Sequence, residues 1–295
     1  MYKSDRARAK YGIGLALALG LAICAMAVAG RGPFQNGGQI WSQTPPPPGS
    51  RLVPPPLLPL EEEAPLDMTT DGPTTDYEFL FTRLAHYSPG FQLSNDGQAW
   101  PTDYPKADRQ FLQGLLRYTA IQGRKQEHVV RPTVDELFDF PFVYAVEVGY
   151  MQLSDDEAQR LRQYLLRGGF MMADDFHGTR EWASFEAQMK KVFPEYQIED
   201  IPVSDPIFHC FFDITELFEL PGLQYLYSGR IYEKDGRAPR YAAIRDSTGR
   251  IMVMINHNVD MGDAWEWADL PQYPERYTSQ AYRLGVNYIV YAMTH

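Results

Sequence analysis

The stretch FVYAVEVGYMQLSDDEAQRLRQYLLRGGFMMADDFHG, Phe142–Gly178, decides how the chain folds. Its opening, FVYAVEVG, is apolar and rich in β-branched and aromatic residues, the composition of a short buried strand. Ser154 and Glu157 then make an S-x-x-E capping box, in which the serine hydroxyl accepts from a first-turn N–H and the glutamate reaches back to the serine amide. Ala158, Leu161 and Leu165 follow on one helical face, and Gly168 suits the left-handed stop after the helix. GFMMADD begins a second apolar strand. Strand, helix and strand in this order predict a βαβ unit with two parallel strands and a right-handed crossover.

The same reading extends outward from this unit. Upstream, YEFLFTRL (Tyr77–Leu84) reads as a first strand, and a long polar and aromatic loop leads to a helix over Ala107–Gln122, with Phe111, Leu112, Leu115 and Leu116 on one face. Downstream, Glu181–Phe193 is an amphipathic helix, and PVSDPIFHCFFDI is a loop or turn. Tyr241–Arg245 and Ile251–Asn256 form a hairpin about the turn Asp246–Gly249, and SQAYRLGVNYIVYAMT closes the chain as a helix. The predicted fold is α/β, a three-layer sandwich with a mostly parallel sheet, occupying residues 77–295 as one domain.

Before Tyr77 the composition differs. Lys3, Arg6, Arg8 and Lys10 precede the apolar run Tyr11–Gly30, the order of an export signal, so residues 1–29 read as a signal peptide or an N-terminal membrane anchor. Ala25-Met26-Ala27 and Ala27-Val28-Ala29 both offer small-x-small cleavage sites, while a run of this length is also enough to span a bilayer. Residues 30–76 carry TPPPPGSRLVPPPLLPLEEEAP and read as a proline-rich disordered linker. The expected location is therefore the periplasm, either free or membrane-anchored. The formal charge of −11 excludes nucleic acid as a partner, because phosphate recognition needs a basic face. Of two cysteines only Cys210 lies in the domain, so no internal disulfide supports it.

Two polar groups are candidates for a site. Asp174, Asp175 and His177 end the second strand of the βαβ unit, where open parallel sheets bind ligands. Asn256, His257, Asn258, Asp260 and Asp263, with Trp265, follow the later hairpin. Asp and His suit a divalent metal, with Asp174, Asp175, His177 and His257 as its ligands, although the spacing matches no metal signature. The structural alternative has Asp175 capping the next turn, Asp174 bonding to backbone amides and His177 as a turn residue. Rings beside carboxylates, here Trp265, Trp267, Tyr273 and Tyr277 as well as Trp100 and Tyr104, suit a carbohydrate-like ligand, or else they pack loops onto the domain. No G-x-S-x-G, P-loop or H-E-x-x-H motif is present, and Cys210 in IFHCFF reads as a buried structural thiol.

The run Leu153–Gly178, the pair Phe193-Pro194, the segment SDPIFHCFFDI and the closing AYRLGVNYIVYAMT resemble the bacterial family named domain of unknown function 4159, from Tyr77 to the C-terminus. The resemblance implies the class I glutamine amidotransferase-like, flavodoxin-like fold, and NHNVDMGDAW is similar to the trehalose-utilisation branch. It implies no reaction. The amidotransferase cysteine elbow has no counterpart here, so glutaminase activity is not expected. Two functions compete: a domain that binds an envelope protein or carbohydrate-like ligand without catalysis, and a metal-assisted hydrolase of an envelope carbohydrate or related small molecule.

Overall fold

The structure is a computed structural model that describes residues 77–91 and 97–295; the expected export segment and proline-rich linker lie outside the described residues. Among the described residues seven strands, β1 (Thr82–Leu84), β2 (His128–Val130), β3 (Phe142–Val146), β4 (Phe170–Phe176), β5 (Ile198–Asp200), β6 (Arg240–Arg245) and β7 (Ile251–His257), build one mixed sheet. Its order is β2-β1-β3-β4-β7-β6-β5. The first five strands in that order run parallel, and β6 and β5 complete the sheet in antiparallel pairings. Among the described residues six α-helices accompany it: α1 (Lys106–Tyr118), α2 (Asp155–Leu166), α3 (Gly178–Val192), α4 (Gln224–Ser228), α5 (Met261–Glu266) and α6 (Glu275–Thr294).

The βαβ unit forms as the sequence predicts. Ser154 caps α2 with the full reciprocal box, and β3 pairs in parallel with β4, Phe142 opposite Phe170 through Val146 opposite Asp174. Strand alternation divides the interior into two cores. Phe142, Tyr144, Phe170, Met172 and Met254 join Phe111 and Leu115 of α1 and Leu284 and Tyr288 of α6. Val143, Ala145, Met171, Val253 and Ile255 join Leu161 and Leu165 of α2 and Phe185 and Met189 of α3. Helices therefore cover both sheet faces, and each large apolar side chain buried this way contributes roughly 1.5–3 kcal/mol. The hairpin is β6 and β7, and Asp246 Oδ1 organises its turn by accepting from the Thr248 and Arg250 amides at 2.9 and 3.1 Å.

Several boundaries differ from expectation. The first strand is confined to Thr82–Leu84, with Phe79 making one isolated bridge to Gly123, because its outer neighbour β2 is itself only three residues long. The helix expected from Glu181 starts at Gly178, and α6 starts at Glu275, directly after Pro274. The SDPIF segment contains a 3₁₀ turn, Pro206–Phe208, capped by Asp205. No helix among the described residues is long and apolar enough to cross a membrane.

Candidate functional site

Adjacent strands β3, β4 and β7 end side by side, and a non-glycine residue with positive φ marks each end: Glu147 (52°) just after β3, Asp175 (54°) next to last in β4 and Asn258 (60°) just after β7. The other two such residues among those described, Asp103 (61°) and Lys234 (50°), belong to the same neighbourhood. Side chains beyond glycine reach this region at a cost of order 1–3 kcal/mol, and such residues cluster where function demands them. The Asp175 conformation has a visible origin in the sheet. Ala173 pairs with Ile255 and Phe176 with His257, so β4 carries one extra residue there. This bulge turns Asp175 out of the strand alternation beside Glu147, whose amide donates to the Asp174 carbonyl at 3.1 Å.

The two polar groups singled out in the sequence meet in space. Asp174 Oδ2 accepts from Tyr144 Oη at 2.9 Å and from the Met261 amide at 3.0 Å, tying the end of β4 to the start of α5. The Asp175 amide donates to the Val259 carbonyl, and ligand oxygens of Asp175, Asp260 and Asp103 lie within 4.8 Å of one another. A second such group is Asp103, Asp263 and Glu266. Asp260 is the N-cap of α5, accepting from the Asp263 amide at 2.7 Å, while Asp263 Oδ1 accepts from the Trp267 indole at 2.9 Å.

The remaining candidates are placed differently. His177 is the N-cap residue of α3 without a side-chain cap bond; its Nε2 lies 3.2 Å from Asp175 Oδ1, and its amide donates to Glu181 at 2.7 Å. Asp175 itself caps no turn, because the bulge holds its carboxylate at the strand end. His257 turns away from the carboxylates, with Nε2 on the Gly178 carbonyl at 3.0 Å and its ring against Phe176 and Trp182. Asn258 ties Gly178 to Ala238, and Asn256 accepts from Tyr288. Trp265 is fully buried against Phe111 and Tyr144, and the Tyr273 hydroxyl donates to the Pro221 carbonyl, so these rings pack the loops onto the domain.

Burial and mutual repulsion dominate the electrostatics. Burial first and then the charge of Asp175 push the Asp174 carboxyl up to about 8. Burial and then Asp263 push Asp175 up to about 7. Burial also lifts Asp103, Glu147 and Asp260 well above the usual carboxylate range, seconded by Asp263 for Asp103 and by Asp175 for the other two. The nearby cations are engaged: Arg83, fully buried, binds Asp108 and the Trp100 and Thr102 carbonyls, and Lys234 pairs with Glu181. Burial holds His177 below its ordinary value, so it is neutral near pH 7.

Beside this cluster opens a cleft of about 390 Å³, lined by Tyr150, His177, Arg180, Glu181 and Lys234 among others. One wall includes Lys234 and Asp235 of the irregular segment of residues 229–239. It is anchored where Asp235 accepts from the Thr179 amide at 2.9 Å and from its hydroxyl at 2.7 Å. His177 thus touches the carboxylates through one ring nitrogen and lines the cleft.

The family model described as domain of unknown function matches residues 85–293. The chain belongs to the DUF4159 family. No curated protein matches it.

Within the DUF4159 domain, Cys210 sits far along the chain from the strand ends, half-buried, with Sγ 3.0 Å from the Asn287 carbonyl; burial pushes its thiol up to about 11. It is a packing residue. The domain's strand ends also employ residues that are not among the sequence candidates: Asp103, Glu147, Glu181, Glu233 and Lys234. Of these only Glu147 had a local signal, a lone carboxylate closing the apolar run FVYAV ahead of Gly149.

Proposed function

We propose that the DUF4159 domain is an exported, tethered ligand-binding domain of the cell envelope, amidotransferase-like in fold and lacking the nucleophilic cysteine. Its ligand, carbohydrate-like or presented by an envelope protein, enters the cleft at the ends of β3, β4 and β7. One observation carries the reading: three adjacent strand ends each hold a residue with positive φ, Glu147, Asp175 and Asn258, next to a polar cleft. The mostly parallel sheet with helices on both faces supports the amidotransferase-like likeness, and Cys210, with its raised thiol, supports the absence of glutaminase chemistry. The test is a chemical-shift titration of the purified chain with neutral, amino and acidic envelope saccharides, alongside a glutamine-hydrolysis assay. The reading expects a saturable ligand that perturbs His177, Glu181 and Lys234, lost in His177→Ala, and no hydrolysis of glutamine. Perturbations confined to the far edge around β5, or glutaminase activity abolished by Cys210→Ser, would contradict it.

The hydrolase reading has one observation in its favour. Asp175 contacts Nε2 of a neutral, buried His177 whose Nδ1 has no protein partner. A carboxylate oriented on an imidazole in this way is how a general base is held, and turnover of a bound saccharide that disappears in His177→Ala would select this reading.

A further inference from the structure

The acidic residues at the strand ends are crowded beyond what structural hydrogen bonding requires. Asp103, Asp175 and Asp260 come from three separate segments, yet they bring carboxylate oxygens within 4.8 Å of one another. Oxygens sharing an ion at about 2.0–2.6 Å can lie no farther apart than roughly twice that distance, so this spacing suits one hard cation. The backbone around them is bare. A Cβ on Gly262 would lie 2.3 Å from Asp103 Oδ2 and 3.1 Å from Tyr144 Oη, and one on Gly222 would lie 2.6 Å from Asp260 Oδ2.

Orphaned acceptors provide an independent sign. Asp103 Oδ2 and Glu147 Oε2 are enclosed and receive no hydrogen bond from the protein. Glu147 is 7% exposed, so it is a buried acceptor in want of a donor or a cation. It stands at the strand end next to Asp175, with its amide on the Asp174 carbonyl. The Tyr144 hydroxyl, which holds Asp174, and Asp103 Oδ2 both lie against Gly262. The Arg83 and Lys234 side chains are tied to Asp108 and Glu181.

We propose that Asp103, Asp175 and Asp260 are the protein ligands of a single hard divalent cation of the Ca²⁺, Mn²⁺ or Mg²⁺ type. Oxygen-only ligation matches these ions and disfavours softer ones. Three carboxylate oxygens leave coordination positions for water or for an oxygen of a ligand. The His177 Nε2 contact with Asp175 Oδ1 fixes the orientation of one ligand from outside the site. This set differs from the four residues suggested by the sequence: it keeps Asp175 and replaces Asp174, His177 and His257 with Asp103 and Asp260. The cation site does not depend on the identity of the cleft ligand, and either can fail without the other.

The test is calorimetric titration of the full chain, stripped with chelator, with Mn²⁺ and separately with Ca²⁺. One equivalent is expected to bind with a dissociation constant at or below about 100 μM. Asp175→Asn and Asp260→Asn are each expected to weaken binding at least ~10-fold. Asp135→Asn, on an exposed carboxylate, is expected to leave binding unchanged. In the metal-free state the site variants are expected to melt at or above the wild-type temperature, because each takes one carboxyl out of a crowded acidic group; a purely structural aspartate would melt lower. Asp103→Asn, in the irregular segment before α1, serves the same purpose if the strand-end variants fail to fold. Absence of saturable binding by the folded wild-type chain would overturn the proposal, as would binding that survives in the site variants or weakens equally in Asp135→Asn.

Discussion

At Asp174 a fully buried carboxylate ties the end of β4 to its neighbours. Oδ2 joins Tyr144 to the start of α5. With its carboxyl pushed up to about 8, and that of Asp175 up to about 7, the folded state holds protons that the unfolded chain has released. Their contribution to stability is therefore complete below the unfolded carboxylate value and is lost as pH rises through the folded values. The buried histidines act in the opposite sense, since His177 and His257 are held low and are destabilising where acid would charge them, but that effect is over by about pH 7. Between about pH 7 and 8.5 the melting temperature of the metal-free chain is therefore expected to fall, and Asp174→Asn to flatten that slope, as thermal melts in chelator would record. The sequence makes Asp174, Asp175 and His177 visible because they end an apolar run. It gives no sign of Asp103 or Lys234, whose part in the site arises from where irregular segments are anchored. Asp260 stood among the candidates, but its closeness to Asp175 depends on β4 and β7 being neighbours, which spacing along the chain does not encode.

At the scale of elements, the most legible piece is α2, because a capping box and a single apolar face are local patterns. Ser154→Ala removes the acceptor of the Glu157 amide and one side of the reciprocal box. It is expected to cost about 1 kcal/mol, read in denaturant titrations as a lower midpoint with unchanged slope. The hairpin β6–β7 was equally plain from its turn residues. By contrast β2 and β5 are three residues each, too short for alternation to register, and the five- and six-residue helices α4 and α5 present less than two turns of periodicity. The bulge in β4 was also hidden, since its extra residue shows only against the register of β7. It is the element-level device that turns Asp175 toward Glu147 rather than into a core.

Across the whole domain, topology converts these local features into a site. The order β1-β3-β4-β7 places the ends of three parallel strands together, α5 delivers Asp260 across them, and the segment before α1 supplies Asp103. Apolar surface is used up on the two cores, and what remains at this edge is a polar cleft beside uncompensated carboxylates. The most direct test is a crystal structure of the chain grown with manganese chloride, using anomalous scattering to locate the metal. The account predicts one strong peak within about 2.6 Å of carboxylate oxygens of Asp103, Asp175 and Asp260. A well-ordered strand edge with no peak there, or with manganese bound only elsewhere, would contradict it.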